Sequence, residues 1–340
     1  MGTVSHVLRS ISSKNFFLIG SRRCLNYSAI QYDGTADPAP LFFNDEVQSL
    51  LRLLTRVDYN KVFRKRKLGK NQLSDPEYKF MTDAELKESL KEAQKKADEL
   101  LQIPPVVKID FGKQRILSKD PALNGISTSR LVFTDITFGV KDANRLIVVR
   151  EPDGTLQEAE WQLKKRMNQL YFPTPGRLLK PPRMFEDNYL ESLLDRQEYE
   201  FILDRACAQF DPHEEEYQRI ASITYQHLNE KNSFDKLRST RHFGSLVFFL
   251  VWNKNVDNLL LDLIETSNIF EADKLVTLYS QINSVQVDGD SDLNRVENFI
   301  KTYANKKGAL ELALQSYKEI VKKQKEVEQG INIAHGIPTS

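Results

Sequence analysis

Residues 133–177 read FTDITFGVKDANRLIVVREPDGTLQEAEWQLKKRMNQLYFPTPGR, and this stretch decides the fold class. Two runs, Leu131 to Phe138 and Leu146 to Arg150, are dense in β-branched and aromatic residues and predict strands. In the first run the apolar positions switch parity, from Leu131 and Phe133 to Ile136, Phe138 and Val140. A strand with a period of two does this only through a bulge or a bend. Glu151-Pro152-Asp153-Gly154 then marks a turn, because Pro152 fixes φ and Gly154 supplies a positive one. From Glu160 onward the texture is helical, interrupted by a bridge stiffened at Pro173, Pro175, Gly176, Pro181 and Pro182. The expected fold is therefore α+β and mostly helical, with a small antiparallel sheet in the first half and a helical C-terminal half.

Upstream, Val106, Val107, Ile109 and Phe111 predict one more strand. Asn44 is placed to cap a helix whose buried stripe is Val47, Leu50, Leu51, Leu54 and Val57. Thr82 and Glu85 form a capping box for a second helix, with Leu86, Leu90, Ala93, Ala97 and Leu101 on one side and alternating charges on the other. Pro104 and Pro105 end it. Downstream, Asp292 to Tyr303 and Ala309 to Val327 are the clearest helices, the latter with Leu310, Leu314, Tyr317 and Val321 on one stripe. The longest apolar run, Leu246 to Trp252, has seven residues. A bilayer span needs about 20, so this run is expected in the core.

These signals divide the chain into a leader (1–30), an N-terminal arm and helices (31–104), a β-rich region (105–159), a helical domain (160–330) and a flexible tail (331–340). The leader has no Asp or Glu, four basic residues (Arg9, Lys14, Arg22, Arg23) and many serines among apolar residues. That is the composition of a mitochondrial transit peptide, with cleavage expected between about Arg22 and Gln31. The chain carries 48 basic and 47 acidic residues. Without the leader, 44 basic residues face 47 acidic ones, a net charge of −3. A protein held mainly by a phosphate backbone carries a basic excess, so RNA contact here must come from local patches. Cys24 leaves with the leader, and Cys207 alone remains, read as a small apolar thiol.

No catalytic constellation emerges. His6, His213, His227, His242 and His335 are scattered, and the position four residues after His213 is Tyr217, so the helical zinc motif is missing. Gly69-Lys70 is followed by Asn71, with Arg64 where a phosphate loop needs its first glycine. The reading is of a non-enzyme with no metal and no cofactor.

The charge clusters carry more. Lys61, Arg64, Lys65, Arg66, Lys67 and Lys70 form a first basic patch, suited to phosphates of folded RNA. Lys164, Lys165, Arg166, Arg177, Lys180 and Arg183 form a second, on the helix and bridge, where arginine forks can grip phosphate or carboxylate. Arg238 and Arg241, with Lys236, make a weaker third. From Met184 to Tyr217 the sign reverses, with eleven acidic residues against Arg196 and Arg205. Glu186, Asp187, Glu191, Glu214, Glu215 and Glu216 are the candidates there for an acidic face toward basic protein neighbours.

Three blocks carry a resemblance: residues 133–177, the continuation through LLKPPRMFEDNY into EFILDRACAQFDPHEEEY, and KLRSTRHFGSLVFFLVWNKNVDNLLLDLI from Lys236 to Ile264. The chain resembles a mitochondrion-specific family of the animal small ribosomal subunit, numbered twenty-two, over roughly residues 130 to 320 and only thinly before Leu100. The resemblance implies a structural component of the mitochondrial small ribosomal subunit, acting in the matrix. Its expected partners are other small-subunit proteins and, to a limited extent, small-subunit rRNA, with no membrane, DNA or small-molecule substrate. A free matrix RNA-binding or assembly factor is the alternative, disfavoured by the net charge; a matrix enzyme finds no supporting motif.

Overall fold

The structure is a computed structural model that describes residues 37–64, 78–109 and 114–334. Thirteen α-helices and four strands occur among these residues. The helices are α1 (Ala39–Phe42), α2 (Asp45–Thr55), α3 (Tyr59–Val62), α4 (Asp83–Leu100), α5 (Trp161–Tyr171), α6 (Asp187–Asp195) and α7 (Tyr199–Gln209). There follow α8 (Glu215–Glu230), α9 (His242–Trp252), α10 (Asp257–Glu265), α11 (Ile269–Asn283), α12 (Asp292–Thr302) and α13 (Lys307–Ala334). No helix among the described residues is long and apolar enough to cross a membrane.

The core is built around α9. Every residue from His242 to Val251 is buried, so this helix is apolar on all sides, as its sequence run requires. Helices α2, α8 and α11 pack against it. The Asn44 cap is in place, its Oδ1 accepting from the Glu46 amide at 2.9 Å, and Val47, Leu51 and Leu54 of α2 are buried. Val57 lies past the helix end and is exposed.

Short links join many of these helices, and they share one device. Gln197, Asn232, Lys254, Ser267 and Ser284 all have positive φ. Each is followed by an amide bonding back five residues, for example Asn255 to the Leu250 carbonyl at 2.9 Å and Asn268 to Leu263 at 2.9 Å. This is the Schellman closure, which satisfies the last carbonyls of a helix and turns the chain sharply. None of the five residues is glycine, so each link holds an L side chain in the left-handed region at a cost of about 1 kcal/mol.

The sheet is antiparallel with order β1-β4-β3-β2: β1 (Ile116–Lys119), β2 (Leu131–Thr134), β3 (Ile147–Arg150) and β4 (Thr155–Glu158). The turn at 151–154 closes the β3–β4 hairpin, with Gly154 at φ +83°. A Cβ there would lie 2.0 Å from the Asp120 carbonyl oxygen, so the position demands glycine twice over.

Two expectations need correction. The run from Leu131 to Phe138 is strand only to Thr134, and the cause is Arg145. Its buried guanidinium donates to the carbonyls of Asp135 (2.9 Å), Thr137 (2.9 Å) and Val140 (2.8 Å), and stacks on Phe172. Those carbonyls wrap a cation instead of joining a ladder, which is the physical basis of the parity switch.

The strand expected at Val106 to Phe111 does not form across the described residues 102–109, and Phe111 lies outside the described residues. Residues 103–107 instead cross the helical core as a strap. Ser245 donates to the Pro104 carbonyl at 3.1 Å and Gln218 to the Val107 carbonyl at 2.7 Å. Ile103 fills the space that a Cβ on Gly244 would need, its Cδ1 2.4 Å from that position. Val106 is buried in the helical core with Ile103 packed beside it, and no strand is involved.

Helix α4 begins at its capping box, with the Thr82 amide donating to Glu85 at 2.8 Å and the Glu85 amide to Thr82 at 3.4 Å. Its apolar side, however, is largely open: Ala97 alone is buried, while Leu86 and Leu90 are half exposed. Helix α13 keeps Leu310 and Leu314 in the core and runs on to Ala334, into the stretch read as a tail.

Candidate interaction surfaces

The structure sorts the basic candidates into those that stitch the fold together and those that face outward. In the first patch, Lys61 donates to the carbonyls of Asp235 (2.7 Å) and Lys236 (3.3 Å), capping the short turn at 234–236. Burial lowers its pKa, against the pull of Glu200 and Asp235. Arg64 is exposed. Lys65, Arg66, Lys67 and Lys70 lie outside the described residues.

The third cluster points inward. Arg238 is buried; its guanidinium meets Asp262 at 2.5 Å, Asp235 at 3.5 Å and Glu271 at 3.7 Å, and Arg56 reaches the same Glu271 at 2.5 Å. This network ties the end of α2 to α10 and α11. Arg241 pairs with Asp204 of α7 at 2.9 Å, and His242 reaches the same carboxylate at 2.9 Å. Burial holds the His242 pKa below its ordinary range, although Asp204 pulls the other way. In this fold Arg238 and Arg241 are framework residues, paired with acids far away in sequence.

The second cluster and the acidic run are brought together. Both line one groove of about 820 Å³, which gathers Lys165, Arg166, Arg177 and Lys180 with Glu214, Glu215 and Glu216, and with the apolar Trp161, Leu178 and Phe210. The bridge is fixed to α7 by side chains. Arg177 forks onto Asp211 at 2.8 and 3.1 Å, while Gln209 both accepts from the Leu178 amide (3.0 Å) and donates to its carbonyl (2.8 Å). Arg205 donates to the Gly176 carbonyl, and Gln169 to that of Arg177 at 2.9 Å. Burial alone would raise the Asp211 pKa, but the Arg177 fork, with His213 and Lys165 nearby, holds it below the ordinary carboxylate value. The same fork raises the Arg177 pKa.

The acids of the groove are already engaged. Glu214 binds Lys165 at 2.5 Å and the Asp211 amide at 2.7 Å. Glu216 and Asp187 share Arg219, at 2.9 and 3.0 Å, and Arg219 also donates to the Phe185 carbonyl at 2.9 Å. Glu215 and Lys164 are engaged within the chain as well. Glu186 pairs with Arg183 at 3.5 Å, and Glu191 is half buried on α6. Arg166 and Lys180 are exposed and make no side-chain hydrogen bond or ion pair among the described residues. Arg183 is 76 % exposed.

Sequence reasoning missed Arg219, Gln209 and Arg145. Arg219 follows the acidic run directly and was visible as its nearest counter-ion; Gln209 and Arg145 had no local signal, because their partners are backbone carbonyls. Cys207 is mostly buried, its Sγ 3.6 Å from the Tyr217 hydroxyl, and burial raises its pKa, as a small apolar thiol requires.

Comparison with known proteins decides what these surfaces belong to. The sequence model of the family described as mitochondrial 28S ribosomal protein S22 matches residues 40–284. The chain belongs to that family. The small ribosomal subunit protein mS22 of mouse (Mus musculus) is 35% identical over 315 residues, which is 90% of this chain and 86% of the mouse protein. That of cattle (Bos taurus) is 36% identical over 290 residues, 82% of this chain and 79% of the bovine one. As a member of the mitochondrial 28S ribosomal protein S22 family the chain is a structural component of the mitochondrial small ribosomal subunit. The match starts far earlier than the thin resemblance before Leu100 suggested, and the fold explains why. Helices α1 and α2 bury Phe42, Val47, Leu51 and Leu54 in the core around α9, so this region belongs to the body of the protein.

Proposed function

We propose that the chain acts as a non-catalytic spacer in the mitochondrial matrix, docking rRNA on one face and protein neighbours on others. One observation supports the reading above all: the cations of the groove divide into two sets. Lys165 and Arg177 are consumed by Glu214 and Asp211, whereas Arg166 and Lys180 project outward beside acids that already have partners; Arg183, outside the groove, is 76 % exposed and loosely paired with Glu186. Outward, weakly committed guanidinium and ammonium groups are what a phosphate backbone neutralises with release of counterions. Arg64 and the lysines and arginines that follow it supply a second candidate contact. The largely paired acids confine such contact to patches, in keeping with a near-neutral chain of 48 basic and 47 acidic residues.

The test is ultraviolet cross-linking of the protein to rRNA within intact small subunits, for wild type, for the Arg166→Ala/Lys180→Ala/Arg183→Ala variant and for alanine across Arg64 to Lys67. The reading predicts lost cross-links and weaker incorporation at raised salt, with an unchanged melting curve for the free chain. Full rRNA cross-linking in both variants would refute the RNA contact while leaving family membership untouched.

A further inference from the structure

Helix α4 is long, well started and almost unsupported. It has 18 residues, and Ala97 is the single buried one. Helices in proteins take most of their stability from a packed amphipathic face. Among the described residues the main packing partner of α4 is the short α3. The apolar side that remains open is continuous: Leu86 is 50% and Leu90 57% exposed, and Tyr78, Phe80 and Met81 lead into it, also exposed.

The spacing on that side is specific. Leu86, Leu90, Ala93, Ala97 and Leu100 follow one another at four, three, four and three residues. That is the alternation of a and d positions in a two-helix seam, with Leu86, Ala93 and Leu100 at d and Leu90 and Ala97 at a. Ala97 is already covered within the chain, so the open part of the seam runs from Leu86 to the half-buried Ala93, with Leu100 exposed beyond it. From Leu86 on, the positions flanking the seam hold Lys87, Ser89, Gln94 and Lys96. The acids Glu88, Glu92, Asp98 and Glu99 fall on the outer face. The flanks are therefore basic with no acid, and flanking charges set the choice of partner. A second copy of the chain would bring only more lysines to those flanks. RNA fits poorly, because α4 carries six acidic against four basic residues.

We propose that α4 is a docking helix for an amphipathic helix of a neighbouring small-subunit protein, one with large apolar residues in a three-four stripe and Glu or Asp at its flanks. The inference rests on membership of the subunit and is independent of the RNA contact above.

A photoreactive phenylalanine analogue placed at Leu86, Leu90 or Lys91 of the full-length protein, in intact small subunits, tests it. Cross-linked peptides identified by mass spectrometry from Leu86 and Leu90 are expected to come from another protein, in a segment with an acid-flanked apolar three-four repeat. The Lys91 site, on the outer face, is expected to give at least about ten-fold less of that product. Lys87→Glu with Lys96→Glu is expected to reduce the same cross-link about ten-fold while the free chain melts as wild type, since loss of one good charge pair or anchor is worth about that factor. Products within this chain, between two copies, with RNA, with a segment lacking that pattern, or with no partner in assembled subunits would overturn the proposal. Absence of the protein from the subunit would instead refute its ribosomal role.

Discussion

Helix α9 is buried from His242 to Val251, whereas α4 buries one residue of its 18. Both are good helices, and they are good for opposite reasons. In α9, residues such as Phe248 and Phe249 have little intrinsic preference for helix, and the surrounding core imposes it. Helix α4 is made of strong helix formers behind a complete capping box, and nothing in the described chain covers its leucines. The body of the protein is thus a finished object around α9, while α4 is a part awaiting a counterpart, as a component of an assembly would carry.

Substitutions should separate the two regions. Phe248→Ala is expected to destabilise the free chain by about 3–5 kcal/mol, the usual loss for a buried aromatic side chain. Leu90→Ala in α4 should change it by less than about 0.5 kcal/mol, as for other exposed positions. Urea melts of the purified full-length protein measure both, and equal losses would show that α4 belongs to the core after all.

Arg238→Ala comes next. Glu271 and Asp262 would lose a buried partner, at an expected cost of about 3 kcal/mol. Arg166→Ala, on the groove rim, should leave the melt unchanged. Gly244→Ala should follow at about 1–3 kcal/mol, because the new methyl group must displace Ile103. Proteolysis near residue 103 should rise with it as the strap loosens.

A pH effect is smaller and has a definite sign. Burial lowers the pKa of both His227 and His242 below the ordinary 6.5. The unfolded chain therefore takes up these protons first as pH falls. Their stability term is fully present above about pH 6.5 and is lost as pH falls toward the lowered folded values. Urea midpoints taken between pH 7.5 and 5.5 should fall, and the slope should flatten in His242→Gln. The smallest change is a gain: Lys254→Gly should stabilise by up to about 1 kcal/mol by relieving a left-handed L residue.

Much of this comparison was legible in the sequence, but not its decisive half. The seven-residue apolar run announced a core helix, the Asn44 and Thr82 caps marked two helix starts, and Pro152 with Gly154 marked the hairpin turn. What the sequence withheld was tertiary pairing. Leu86 and Leu90 looked like any buried stripe, because periodicity reports an apolar side and not what covers it. Val106 and Ile109 read as a strand since β-type residues suit any extended buried segment; Pro104 and Pro105, which have no amide hydrogen to donate to a ladder, were the clue to a strap. Arg238 and Arg241 looked like surface charge because Asp262, Glu271 and Asp204 are 24 to 37 positions distant. The groove was half visible: the reversal of sign after Arg183 was plain, but not that Lys165 and Arg177 are taken up by Glu214 and Asp211.

The chain works as a structural part of the mitochondrial small ribosomal subunit. The most direct measurement is the sedimentation of tagged full-length protein from mitochondria on a sucrose gradient, with and without ribonuclease and with magnesium chelated. The account predicts co-migration with the small subunit and the monosome, collapsing under ribonuclease treatment or magnesium chelation. Recovery only at the top of the gradient under all conditions would contradict it.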